Sequence, residues 1–366
     1  MTSQTRSTNT AGSASKSERE AVPRISVVIC THNRGEYLAG AVQSVRNQPL
    51  DLALYEVIIV DNNETPDPQT QAVAEQYGAR YALEPSLGLS HARNRGVKLA
   101  RGEYVAFLDD DAQAVSNWLR SALDVIEHCR PAALGGMALP LYTEEAPKPK
   151  WFEDRFIVEG YWGKQARSLA ANEYVYGMNM FWRRDVLNAL GGFDPAYGMM
   201  GKKIAYAEET ILQIRLRARM PEELIYYHPA VTVHHVVRAE KMQWAWIVRQ
   251  RFARGQYSFR ARYERKGRKQ RSTSRRALII AKSALRIVLK GAQLGILITI
   301  GAWRRNRAIY PHARTFIYER GLRPLRAIGA LYEKARLMLT DVNPPDQTPQ
   351  PRASSRLRSG EVASSK

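Results

Sequence analysis

The chain has 366 residues, 45% of them hydrophobic, enough to bury a substantial core as one large domain or two smaller ones. Two cysteines, Cys30 and Cys129, are too few for a disulfide framework and lack metal-ligand spacing, which implies a reducing, cytosolic setting. The formal net charge of +20 sits in the last third: of 55 Lys+Arg and 35 Asp+Glu, Lys241 to Lys366 holds 29 and 6, so a near-neutral body is joined to a segment suited to a polyanion.

The opening MTSQTRSTNTAGSASKSERE has no apolar stretch like a signal-peptide core. Its Ser, Thr, Ala and Gly richness predicts a disordered leader over residues 1–22. From Ile25 the pattern is ISVVIC, a polar turn THNRGE, a helical YLAGAVQSVRNQ, then YEVIIVD. Short β-branched runs that end in polar residues and alternate with helical segments predict parallel βαβ units. A helix near Pro68 to Tyr77, a strand ARYAL, a helix SHARNRGVKLA and a strand EYVAFLD continue the series. In such sheets ligands bind beyond the carboxyl ends of the strands, where Thr31 to Arg34, Asp61 to Asn63 and Asp109 to Asp111 fall.

Residues 113–240 mix short strands with Gly- and aromatic-rich loops, then a helix YAEETILQIRLRAR and a strand-like AVTVHHVV. Residues 241–340 read as a basic helical extension with a hinge ERKGRKQRSTSRR, and residues 341–366 as a disordered Pro-, Ser- and Arg-rich tail. The expected architecture is an α/β domain over 23–240, divided near residue 112, followed by that extension.

VAFLDDDA puts three carboxylates, Asp109, Asp110 and Asp111, at the end of an apolar strand. They repel one another unless a cation joins them, and a hard divalent ion such as Mg²⁺ or Mn²⁺ suits an Asp-x-Asp pair. A solvated turn or a helix cap explains the triplet by itself equally well.

Taken in order, ISVVICTHNR, VIIVDNNE, LGLSHARNRGVKLARGEYVAFLDDDA, YGMNMFWRRDVLNALGGFD, AEETILQIRLR and YYHPAVTVHH resemble the family 2 glycosyltransferases. The likeness spans about Ile25 to His235. It implies the nucleotide-sugar-binding fold called GT-A, a Rossmann-like, mainly parallel mixed sheet flanked by helices, and a metal-dependent inverting transfer of sugar to a hydroxyl. Carried over residue by residue, the resemblance makes Asp61 the carboxylate that accepts hydrogen bonds from the donor's base. Thr31, Asn33 and Arg34 line the base and ribose pocket, and Arg93, with Asn94 beside it, reaches the phosphates. Asp111 is the principal metal ligand, with Asp109 and Asp110 in the ribose or water-mediated shell and Asp109 a second ligand. The histidine that completes the metal site is His234 or His235; strand alternation sends the two to opposite faces, and His234 is favoured. Gly177 and Asn179 lie beside donor sugar and acceptor. Glu209 is the general base, standing where Asp is common in the family, and Glu208 orients an acceptor or an arginine such as Arg215.

Two readings rest on composition alone. Trp151, Phe152, Tyr161 and Trp162 form either a stacking platform for a sugar ring or ordinary core. In KSALRIVLKGAQLGILITIGAWRR, Lys282, Arg286 and Lys290 share a helical face, and Gly291 to Trp303 is a run of 13 uncharged residues, short of the roughly 20 that span a bilayer. An interfacial helix anchored at Trp303 on an anionic membrane face, or an amphipathic helix packed on the catalytic domain, fits this run. The expected partners are a nucleotide-sugar donor, a glycan or lipid-linked acceptor and the inner face of the cell membrane. The rivals are a nucleic-acid-binding protein and an Mg²⁺-dependent phosphotransferase using the Asp cluster. The first lacks aromatics interleaved with its cations and the second a placed phosphate-holding Ser/Thr and Lys, so no nucleic acid is expected.

Overall fold

A computed structural model of the chain describes residues 22–201, 205, 207–265 and 271–340. Residues 1–21 of the expected leader, the expected tail and residues 266–270 of the hinge lie outside the described residues.

The apolar runs form strands β1 (Ile25–Thr31), β2 (Tyr55–Asp61), β3 (Arg80–Leu83) and β4 (Tyr104–Asp109), all parallel in the order β3-β2-β1-β4. Helices α1 (Gly35–Arg46), α2 (Pro68–Gln76) and α3 (Leu89–Leu99) make the crossovers. In α1, Leu38, Ala41, Val42 and Val45 fall at the three- and four-residue spacing of one face and are buried against the sheet. β1 alternates between two cores: Ile25, Val27 and Ile29 pack with α1, while Val28 packs with Ala92 and Val97 of α3 on the other side. A strand covered on both faces needs the near-continuous apolar run that this one shows.

Beyond β4 the chain turns through Asp110 and Asp111 into β5 (Ala112–Ala114), and α4 (Trp118–Cys129) follows. β6 (Ala133–Gly135), β7 (Ala138–Leu141), β8 (Arg167–Ser168) and β9 (Asn179–Arg183) precede α5 (Arg184–Leu190) and α6 (Glu208–Arg219). β10 (Ile225–Tyr227) and β11 (Val233–Val236) complete the strands. β9 runs antiparallel between β4 and β6, so the large sheet is mixed, in the order β3-β2-β1-β4-β9-β6-β10-β8. A second sheet, β5-β11-β7, folds the chain after Asp111 back beside the ends of the parallel strands.

α7 (Trp244–Arg265), α8 (Thr273–Ile296), α9 (Ala313–Phe316) and α10 (Arg323–Thr340) form the extension, with α10 packed against both α7 and α8. It shares a core with the body that precedes it. Trp151 stacks on Trp244 with ring centroids 5.1 Å apart, Phe156 stacks on Tyr318 at 4.0 Å, and Thr315 Oγ1 donates to the Trp151 carbonyl at 2.7 Å. Trp151 and Phe152 are buried in this seam, which decides for core over sugar platform at these two positions; Trp162 donates to the Tyr174 carbonyl, and Tyr161 is exposed. Few long-range contacts are as hard to read from a sequence as such a seam, because neither side carries a periodic signal for the other.

Candidate active site

Three strand ends and one helix start converge. Asp109 closes β4, Asp110 and Asp111 form the turn, β11 brings His235 alongside, and the first turn of α6 carries Glu208 and Glu209. One ligand atom from each of Asp109, Asp111 and His235 lies within 4.8 Å of the others. His235 Nε2 is 2.9 Å from Asp111 Oδ1 and 3.9 Å from Asp109 Oδ2.

The resemblance favours His234, but the structure brings His235 to the aspartates. β11 pairs antiparallel with β5 so that His235 stands opposite Ala112, next to Asp111, and the Val236 amide donates to the Asp111 carbonyl at 2.8 Å. Alternation then turns the His234 side chain to the exposed face of the strand.

Asp111 is almost wholly buried, yet two cations reach it, Arg238 Nε at 3.4 Å and Lys241 Nζ at 3.6 Å, with the His235 ring beside them. Burial alone would raise its pKa, but Lys241, His235 and Arg238 outweigh it and hold the carboxyl well below the usual carboxylate range. The sequence reading missed Arg238 and Lys241. They lie just beyond the last matched motif, at the start of a segment where cations are too frequent for any one to stand out.

Asp110 does something else. Thr31 Oγ1 donates to it at 2.8 Å and Arg34 Nη1 at 3.3 Å, tying the β4 end to the loop between β1 and α1. Burial and the neighbouring Asp111 charge push its pKa up to about 7. Asn33, in the same loop, is exposed and adopts a left-handed φ of 54°, a conformation asparagine tolerates better than most residues.

Arg93 is the hub between the two carboxylate groups. Its buried guanidinium donates to Glu208 Oε1 at 2.8 Å, to Asp109 Oδ1 at 3.4 Å and to the Gly177 carbonyl at 3.1 Å, and it lies near the rings of Phe107 and Phe193. A Cβ on residue 177 would meet Arg93 Nη2 at 2.5 Å, so the pinned arginine calls for glycine at this position. Glu208 therefore orients Arg93; the alternative partner, Arg215, pairs instead with Asp194 at 2.8 Å and Glu264 at 3.5 Å. Glu209 is raised to about 8, first by burial and then by the Glu208 charge.

Three of the expected donor-binding residues also hold the scaffold. Asp61 is fully buried, its oxygens accepting from the Asn63 and Asp67 amides and, at 2.8 Å, from Tyr81 OH. The Asn94 amide exchanges two hydrogen bonds with the Phe193 backbone, each 2.8 Å. Asn179, also fully buried, accepts from Trp118 Nε1 at 2.9 Å and donates to the Met137 and Val231 carbonyls. Each partner stranded in the core costs about 1–3 kcal/mol. Asn179→Ala is thus expected to lower the urea midpoint sharply, and any folded fraction should bind nucleotide as wild type does.

A family model described as glycosyl transferase family 2 matches residues 26–191. A glucosyl-dolichyl phosphate glucuronosyltransferase of Haloferax volcanii is 32% identical over 249 residues, covering 63% of this chain and 75% of that protein. The chain belongs to glycosyl transferase family 2, and it is a glycosyltransferase. The succinoglycan biosynthesis protein ExoM of Rhizobium meliloti is 28% identical over 241 residues, covering 63% of this chain and 73% of its own. Among solved structures, the mannosyltransferase PcManGT of Pyrobaculum calidifontis, in complex with GDP-Man and Mn²⁺, superposes with a TM-score of 0.52 at 16% identity, covering 88% of each chain. The fold of this family 2 enzyme is the GT-A fold, with a helical region appended at its C-terminal side.

Proposed function

We propose that this enzyme transfers a sugar from a nucleotide-diphosphate donor to a hydroxyl acceptor with inversion at the anomeric carbon. The observation that carries the reading is the convergence of Asp109, Asp111 and His235 with Glu208 and Glu209 through the single buried Arg93. Two carboxylates and an imidazole are a donor set that suits Mn²⁺ or Mg²⁺, and the cations already gathered round Asp111 support a site built for charge exchange. A divalent ion held there would neutralise the diphosphate leaving group.

The chain's own residues take the other parts. Thr31, Asn33, Arg34 and Asp110 border the pocket for base and ribose, and Arg93 fixes Asp109 and Glu208 against each other. Glu209, in its ionised form, removes the acceptor proton as the oxygen attacks the anomeric carbon opposite the diphosphate. The names of the two relatives, one a glucosyl-dolichyl phosphate enzyme and one a succinoglycan protein, support a lipid-linked or envelope-polysaccharide acceptor, and the basic extension favours meeting it at the inner face of the cell membrane.

A thermal-shift panel of UDP-, GDP- and dTDP-sugars, with and without Mn²⁺, tests the donor site. Ligand at one hundred times its Kd stabilises the native state by about 2.7 kcal/mol. One nucleotide class should raise the melting temperature only with the metal present; a flat panel would overturn the reading.

A further inference from the structure

The helix that starts at Thr273 continues without a break through a π turn to Gly301, 29 residues in all, and is long and apolar enough to cross a membrane. It carries two apolar faces. One, with Ile287, Leu294 and Ile298, turns towards α10 and the Trp151–Tyr318 seam. The other, with Leu278, Leu285, Leu289, Ile296, Ile300 and Trp303, is turned to the outside: each is at least 52% exposed. At 3.6 residues per turn these six fall within roughly a third of the helix circumference, with Lys282 and Arg286 along one margin.

From Arg271 to Tyr318 there are ten Lys and Arg and no Asp or Glu. That balance selects the occupant of the face. A second copy of the chain, docked through a two-fold axis, would bring two such segments together, each with cations on the margin of the stripe and no anion to answer them. A nucleic acid would answer the charge but leave the leucines and isoleucines in water. A bilayer with anionic headgroups takes both at once: acyl chains for the stripe, headgroups for the margin, and the interfacial zone for Trp303 ahead of Arg304 and Arg305. Because the opposite face is held on α10, the helix lies along the surface and does not cross it.

We propose that this stripe is a membrane-docking face, inserted in the plane of an anionic leaflet. The proposal deepens the membrane-side reading above and rests on it. The seam that joins α7 to Trp151 packs the extension on the catalytic body, and Lys241, three residues before α7, reaches Asp111.

Co-sedimentation of the full chain with phosphatidylcholine vesicles, with and without a third of phosphatidylglycerol, tests it alongside Leu285→Glu/Ile296→Glu and Lys282→Gln/Arg286→Gln. Both pairs are exposed, and neither touches the active site. Wild type should bind the anionic vesicles. The first variant should bind at least about tenfold more weakly, since burial of one such side chain is itself worth about tenfold. The second should bind more weakly in low salt and converge with wild type in high salt. Metal-dependent nucleotide stabilisation should be unchanged in both. Wild-type vesicle binding that the first variant retains in full would overturn this face while leaving the membrane-side reading standing. No wild-type binding to either vesicle would overturn both. A dimer in light scattering that the first variant dissociates would assign the stripe to self-association and overturn the proposal.

Discussion

Asp111→Asn is expected to lower turnover by roughly three orders of magnitude and to remove the metal-dependent part of nucleotide-sugar stabilisation, with the far-UV spectrum unchanged. A held cation is worth several kcal/mol at a developing charge, and each 1.36 kcal/mol is tenfold in rate. Asn keeps the volume of Asp and one acceptor oxygen, so no cavity opens beside β5; what is lost is the formal charge. That loss has a second signature. In the wild type Asp111 is ionised and answered by Lys241, His235 and Arg238, and its folded pKa lies below the unfolded value of about 3.9. A depressed carboxylate contributes stability that is present above the unfolded pKa and is lost as pH falls through the folded one. The wild type should therefore exceed the variant in urea midpoint at pH 7, where Lys241 of the variant loses the Asp111 charge and Arg238 keeps only Glu240, and the gap should narrow below about pH 4. Turnover close to wild type would remove Asp111 from the metal site, and a gap that does not change with pH would remove the ion pairs from the account.

How much of this was legible in the sequence depends on what carries each feature. β1 to β4 and their crossover helices are written in local pattern, because a strand buried on both faces must be apolar throughout and a covering helix must repeat every three or four residues. The three aspartates stand out because a concentration of like charge at a strand end demands a reason. His235 does not stand out from His234: identical neighbours differ only in which face they take, and the pairing of β11 with β5, some 120 residues earlier, decides that. Asp61, Asn94 and Asn179 show a different limit. A polar residue inside a matched motif reads as a ligand contact alone, and the motif gives no sign that each also holds the scaffold, through backbone amides and carbonyls, the Tyr81 hydroxyl or a buried tryptophan. Lys241 is hidden by abundance, since a cation carries little information in a segment where cations outnumber anions almost fivefold, and Arg238 stands just before that segment. The extension is the least legible part, because its seam joins Trp151 and Phe156 to Trp244 and Tyr318 across up to about 160 residues with no periodicity on either side.

Glu209→Gln is expected to cost about 10² to 10⁴ in turnover, the usual worth of a positioned proton acceptor, with metal-dependent nucleotide binding retained. The wild-type pH profile gives the sharper test. A base acts only when ionised, and burial together with the Glu208 charge raises Glu209 to about 8. kcat/KM, which reports the free enzyme, should therefore climb about tenfold per pH unit below that value and level off above it. The neighbour supplies the control. Glu208→Gln removes the like charge, so the acid limb should move to lower pH even as the maximum rate drops, because Arg93 loses its 2.8 Å partner and holds Asp109 less firmly. A merely structural Glu208 would lower the rate without moving the limb. A profile flat from pH 6 to 9 in the wild type would take the proton from Glu209 altogether and leave its first-turn position on α6 as the reason for the residue.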